Sequence, residues 1–88
     1  PNLDTAPLMK AWARSELHAI IVTSSEGLHN LFDMIGKLGQ TWLRKTPVFA
    51  PHSRIAETAR ALGLSAVIET EPGDEGIVAR MEQYFGSA

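Results

Sequence analysis

Hydrophobic positions along the chain alternate between two periods, and their order predicts strands and helices in turn. Thr5 or Asp4 can cap a first helix with Pro7 in its opening turn, where a missing N–H costs nothing. Leu8, Met9, Trp12 and Ala13 recur at helical spacing, with Lys10 and Arg14 outside. His18 to Thr23 is a short apolar run rich in β-branched residues and without polar alternation. Such a run suits a strand covered on both faces, as in a parallel sheet. From Leu28, the apolar positions Leu31, Phe32, Ile35 and Leu38 mark one face of an amphipathic helix, and Gly36 and Gly39 lie where that helix should stop.

Val48-Phe49-Ala50 reads as a second strand with Pro47 and Pro51 at its ends, the only strand positions that tolerate proline. Ser53 can cap the next helix, which buries Ile55, Ala56, Ala59 and Leu62 and ends at Gly63. Ala66-Val67-Ile68 forms a third strand, and Glu69 to Gly73 a loop. Asp74 opens a last helix whose Ile77, Val78, Met81, Tyr84 and Phe85 form a core stripe, and Gly86-Ser87-Ala88 reads as a frayed end. Helix and strand thus alternate, which predicts an α/β three-layer unit: a short parallel sheet flanked by helices, part of a doubly wound domain. Three strands make a thin sheet with vulnerable edges, so the unit is expected to pair with a second copy or to continue in a longer chain. Asn2, Asp4 and Thr5 read like a linker, and the 88 residues are expected to form one such unit.

Composition narrows the partners. A formal charge of −2 and a pI near 5.9, with basic residues scattered, give no reason to expect nucleic acid or an anionic membrane. No apolar run approaches the roughly 20 residues that span a bilayer. Cysteine is absent, which removes a disulfide framework and a thiolate nucleophile and fits a cytoplasmic setting. His18, His29 and His52 have no metal-ligand spacing, and no metal site is expected.

In open α/β sheets, ligands gather outside the carboxyl ends of the strands, where helix N-termini converge. Those positions here are Thr23-Ser24-Ser25-Glu26-Gly27, Ala50-Pro51-His52-Ser53-Arg54 and the loop from Glu69 to Glu75. The first two offer hydroxyls and helix-start N–H groups, which favour an anion. The third is acidic and would repel one. Ser24, Ser25 and Ser53 are either N-caps alone or caps that also touch a ligand. Gly27 either admits a close ligand or is merely tolerated. Arg54 stands at a helix start against the dipole, which an anionic ligand or an ion pair with Glu57 or Glu26 would explain. His52 has no Asp, Glu or second His at motif spacing, and Ser24 has no nearby base, so no catalytic residue is assigned. Trp12 and Trp42 read as packing residues.

Taken in order, Ile20-Ile21-Val22-Thr23-Ser24-Ser25-Glu26-Gly27-Leu28 with Asn30-Leu31-Phe32 resembles the strand–Thr-Ser–helix element near the end of uroporphyrinogen-III synthase. The run from Val48 to Leu64, with its His52-Ser53-Arg54-Ile55-Ala56 and its Leu62-Gly63, is similar to the family's next strand and helix. Asp74-Glu75-Gly76-Ile77-Val78 with Met81 resembles the closing helix. The resemblance implies a cofactor-free lyase that closes hydroxymethylbilane, a linear tetrapyrrole polycarboxylate, into uroporphyrinogen III with inversion of the last ring. It carries Thr23, Ser24, Ser25 and Gly27 onto one substrate-facing loop, and His52, Ser53 and Arg54 onto a second. Ala50 stands where many members have glycine, and Arg54 where many have threonine. The tyrosine proposed as proton donor in the family lies ahead of this segment, and Tyr84 does not match it. The family enzyme has two α/β domains, so the resemblance implies part of one of them and no synthase activity for the 88 residues alone. The competing expectation is a non-catalytic α/β module that binds a small anion at helix N-termini.

Overall fold

The computed structural model describes residues 4–86 and contains five helices around a three-stranded parallel sheet. The elements are α1 (Ala6–Ala13), β1 (Ile20–Ile21), α2 (Ser25–Met34), α3 (Gly36–Lys45), β2 (Val48–Ala50), α4 (Ser53–Ala61), β3 (Val67–Glu69) and α5 (Asp74–Gly86). Strand order follows chain order, with Ile20 opposite Val48 and Val67, and Ile21 opposite Phe49 and Ile68. The alternation along each strand sends these two rows to opposite faces.

That parity separates two layers of packing. On one face Val22, Val48 and Ala50 join Trp12, Leu28, Ile35, Leu43, Ile55, Ala56, Ala59 and Leu64 in a single buried cluster drawn from α1 to α4. On the other face Phe49, fully buried, meets the rings of Tyr84 and Phe85 at 5.6 and 6.1 Å. A sheet whose strands run in sequence, joined by crossovers of one hand, puts its connecting helices on one side. Only α5, which follows the last strand, is free to cover the other. The expected three layers are therefore present, with the opposite face covered by one helix.

Between β1 and β2 the chain departs from the single expected helix. The φ of +67° at Gly36, open to glycine without steric cost, breaks the helix after α2. A second helix, α3, then runs through Gly39 instead of ending there. Polar Lys37, Gln40 and Thr41 hid it in the sequence, and Leu38, expected on the buried face, is 57% exposed because the break at Gly36 turns it outward. Arg44 of α3 is exposed and lies with its guanidinium 5.4 Å from the Phe32 ring centroid of α2.

Helix ends also differ in detail. Thr5 occupies the N-cap position of α1 without a side-chain bond, and Asp4 Oδ1 accepts from the Ala6 N–H at 3.0 Å instead. Ser15 ends α1 with a φ of 57°, while Ser15 N donates to Trp12 O and Glu16 N to Ala11 O. This is a Schellman ending made without glycine. Ser15→Gly is expected to raise stability by about 0.5–1 kcal/mol by removing the left-handed strain, a gain read in thermal or urea unfolding. The third strand runs one residue later than expected, to Glu69.

The stripe on α5 is less buried than expected. Ile77 is buried, but Val78, Tyr84 and Phe85 are 54, 40 and 44% exposed, because one helix over a narrow sheet cannot enclose its own flanks. Trp12 and Trp42 pack as expected, their centroids 6.0 Å apart. Trp12 Nε1 donates to Thr46 Oγ1 at 2.9 Å, and that hydroxyl donates on to Trp42 O, so a buried indole N–H is satisfied. Gly86 belongs to α5. The linker reading at Asn2 and the fraying at Ser87-Ala88 lie outside the described residues. No helix among the described residues is long and apolar enough to cross a membrane.

Candidate functional site

The carboxyl ends of β1 and β2 each lead within three or four residues into a helix, so the two helix starts meet at one edge of the sheet. At the first, Ser24 is the N-cap of α2, and its Oγ accepts the Gly27 N–H at 2.9 Å. Gly27 serves that cap, since a Cβ there would lie 2.8 Å from Ser24 Oγ. Ser25 Oγ accepts from Thr58 Oγ1 at 3.2 Å, which ties the start of α2 to the side of α4. Both serines thus have structural partners. Ser24→Ala is expected to cost about 1 kcal/mol of stability through the lost cap, measured as a lower unfolding midpoint.

The second start is different. Ser53, expected as the cap, is the first helical residue of α4; His52 holds the N-cap position with extended backbone. Among the described residues no side chain caps this helix. The first amides of an α-helix have no partner within it, and here they are left to solvent or to a ligand. The sequence placed the cap one residue late because serine is the commoner capping residue. Pro51, buried at the end of β2, sets the chain extended before the turn.

Ser24, Ser25, His52, Ser53 and Arg54 line one open cleft of about 550 Å³ together with Ile55. The two expected loops therefore come together, but not completely. Thr23 and Gly27 line a smaller groove of about 230 Å³ along β1 with Ile20, Ile21 and Leu31. Ser24 belongs to both. Arg54 is exposed at the mouth of the cleft, in the first turn of the uncapped helix. A guanidinium beside free helix-start amides forms a field that favours a carboxylate or phosphate.

A second cleft, also about 550 Å³, lies on the far side of His52 and Ser53 and reaches the carboxyl end of β3. Its walls include Glu69, Thr70 and Glu71, the acidic loop expected to repel anions. They also include Arg80 and Gln83 of α5, which the residue pattern alone did not bring to the site. The available signal was spacing: Gly76, Arg80 and Gln83 are four and three residues apart and share a helix face. Gly76 permits that approach, because a Cβ there would collide with the backbone oxygen of Glu71 and lie 2.8 Å from its Cβ.

Among the described residues no group of three or more His, Cys, Asp or Glu side chains is placed to hold a metal ion. Among the described residues no base stands within hydrogen-bonding contact of Ser24, whose Oγ accepts the capping N–H of Gly27.

Residues 3–79 match the family described as uroporphyrinogen-III synthase HemD. The chain belongs to that family. The match takes in all three strands, α1 to α4, and both helix starts of the first cleft. Arg80 and Gln83 lie beyond the matched residues.

Proposed function

We propose that this chain forms part of the substrate cleft of a uroporphyrinogen-III synthase, a lyase that closes hydroxymethylbilane into uroporphyrinogen III. The observation that carries the reading is the uncapped start of α4 beside Arg54, in a cleft of a member of this family. The substrate is a flexible chain of four pyrroles bearing acetate and propionate carboxylates. Closing it requires loss of the terminal hydroxyl as water, formation of one carbon–carbon bond and inversion of the last ring. The protein's contribution is then to hold the carboxylates and so bend the chain into the reactive shape. Ser53, Arg54 and Ile55 amides and the Arg54 guanidinium are the donors proposed for one carboxylate. Thr23, Ser24, Ser25 and Gly27 shape the neighbouring wall, and His52 and Ser53 form the ridge between the two clefts.

Two features support the reading that the sheet continues in a larger domain of the full enzyme. The edge strand β1 carries no proline, lysine or bulge to discourage pairing. Ile21 on that strand is 45% exposed, beside the fully buried Phe49.

The test is the isomer formed from hydroxymethylbilane by the complete natural protein. Predominantly type III product is expected, whereas the spontaneous type I product alone would leave the anion-binding module as the better account.

A further inference from the structure

The second cleft combines groups that a simple anion site would not. Arg80, half-buried on α5, offers a planar fork of donors, and Gln83 adds an amide one turn further on. Glu69 and Glu71, both exposed and at the end of β3, line the same cleft and bring two carboxylates to it. A small free anion entering there meets attraction and repulsion together. A ligand that carries a carboxylate on one edge and N–H donors on another satisfies both. A pyrrole ring with acid side chains has that chemistry. The two clefts share His52 and Ser53, so an extended ligand can occupy both by crossing one ridge.

We infer that the cleft around Arg80 and Gln83 is a second pyrrole-carboxylate subsite, in which Arg80 binds a substrate carboxylate and the Glu69 and Glu71 carboxylates accept the ring N–H. This rests on the synthase reading above, and it assigns a role to residues outside the family match. The subsite is built by α5 from the opposite face of the sheet to α4. One polycarboxylate is therefore gripped from both faces across the carboxyl edge. Arg80 is here a specificity residue and takes no part in bond making.

The test uses the complete natural protein with hydroxymethylbilane as substrate. Arg80→Gln is expected to raise KM about tenfold or more, the loss typical of a charge-assisted contact. Arg80→Met keeps an unbranched apolar stem at this half-buried position and should show the same loss with an unchanged melting temperature. Arg80→Lys restores the charge without the fork and should recover part of the affinity. KM within twofold of the wild type in both Arg80→Gln and Arg80→Met, with type III product still formed, overturns the subsite and leaves the synthase reading standing. A wild-type protein that forms no type III isomer removes both.

Discussion

Phe49→Ala is expected to destabilise the protein by about 3–5 kcal/mol, the largest effect of any single substitution considered. Phe49 sits at the centre of the middle strand with no solvent exposure, so truncation leaves a cavity under α5. It is also the contact through which α5 holds the sheet: Tyr84 stands edge-on to its ring at 5.6 Å, and Phe85 lies at 6.1 Å. Aromatic pairs of this geometry add about 0.5–1.5 kcal/mol beyond burial. Native stabilities are only about 5–15 kcal/mol, so the variant should populate unfolded or α5-detached states at ordinary temperature. Urea unfolding of the complete protein reads the loss, and protease susceptibility near Tyr84 reads the detachment. A shift below about 1 kcal/mol would mean that α5 is held by something other than this ring cluster.

Arg54→Ala should behave in the opposite way, with a large functional effect and almost none on stability. Arg54 is exposed in the first turn of α4, where a cation is mildly unfavourable against the helix dipole. Removing it is expected to change stability by no more than about 0.5 kcal/mol. A charge-assisted bond to a carboxylate is worth roughly 1.5–3 kcal/mol, so KM for hydroxymethylbilane should rise about 10- to 100-fold. The rise should shrink at high salt, because an exposed pair is screened. Unchanged KM with an unchanged melting temperature would remove Arg54 from the substrate cleft.

Much of this architecture was legible because local pattern and tertiary packing agree. Ile55, Ala56 and Ala59 form a helical stripe in the sequence and are buried in the structure. Gly63 was readable as the end of α4 and has a φ of +88°. Val48-Phe49-Ala50, readable as a strand between two prolines, is fully buried. The run from His18 to Thr23, expected to be a strand covered on both faces, forms one only at Ile20–Ile21. It leaves Ile21 45% exposed because β1 is the edge of the sheet. What failed to show was structure without an apolar signature. Helix α3 buries only Gly39 and Leu43, so its period is carried by two residues, one of them a glycine. The left-handed Ser15 carries no warning in its residue type.

Within the site, the sequence brought Ser24, Ser25, His52, Ser53 and Arg54 to one edge because strand ends and helix starts were readable. It misplaced the α4 cap by one residue, since cap position depends on where the backbone turns extended and not on which side chain could cap. Arg80 and Gln83 share a readable helix face with Gly76, but nothing in the pattern tied that face to the site. They reach the cleft from a helix on the other face of the sheet, placed there by the aromatic contacts to Phe49 and by the close packing of Gly76 on Glu71.

The most direct measurement is a map of backbone amide shifts in the complete, isotopically labelled protein on titration with uroporphyrinogen III. The largest saturable shifts should fall on the amides of Ser53, Arg54 and Ile55, with a second group at Thr70, Glu71 and the Arg80 side chain. Saturable shifts confined to residues away from both clefts would contradict the placement of the tetrapyrrole at this edge of the sheet.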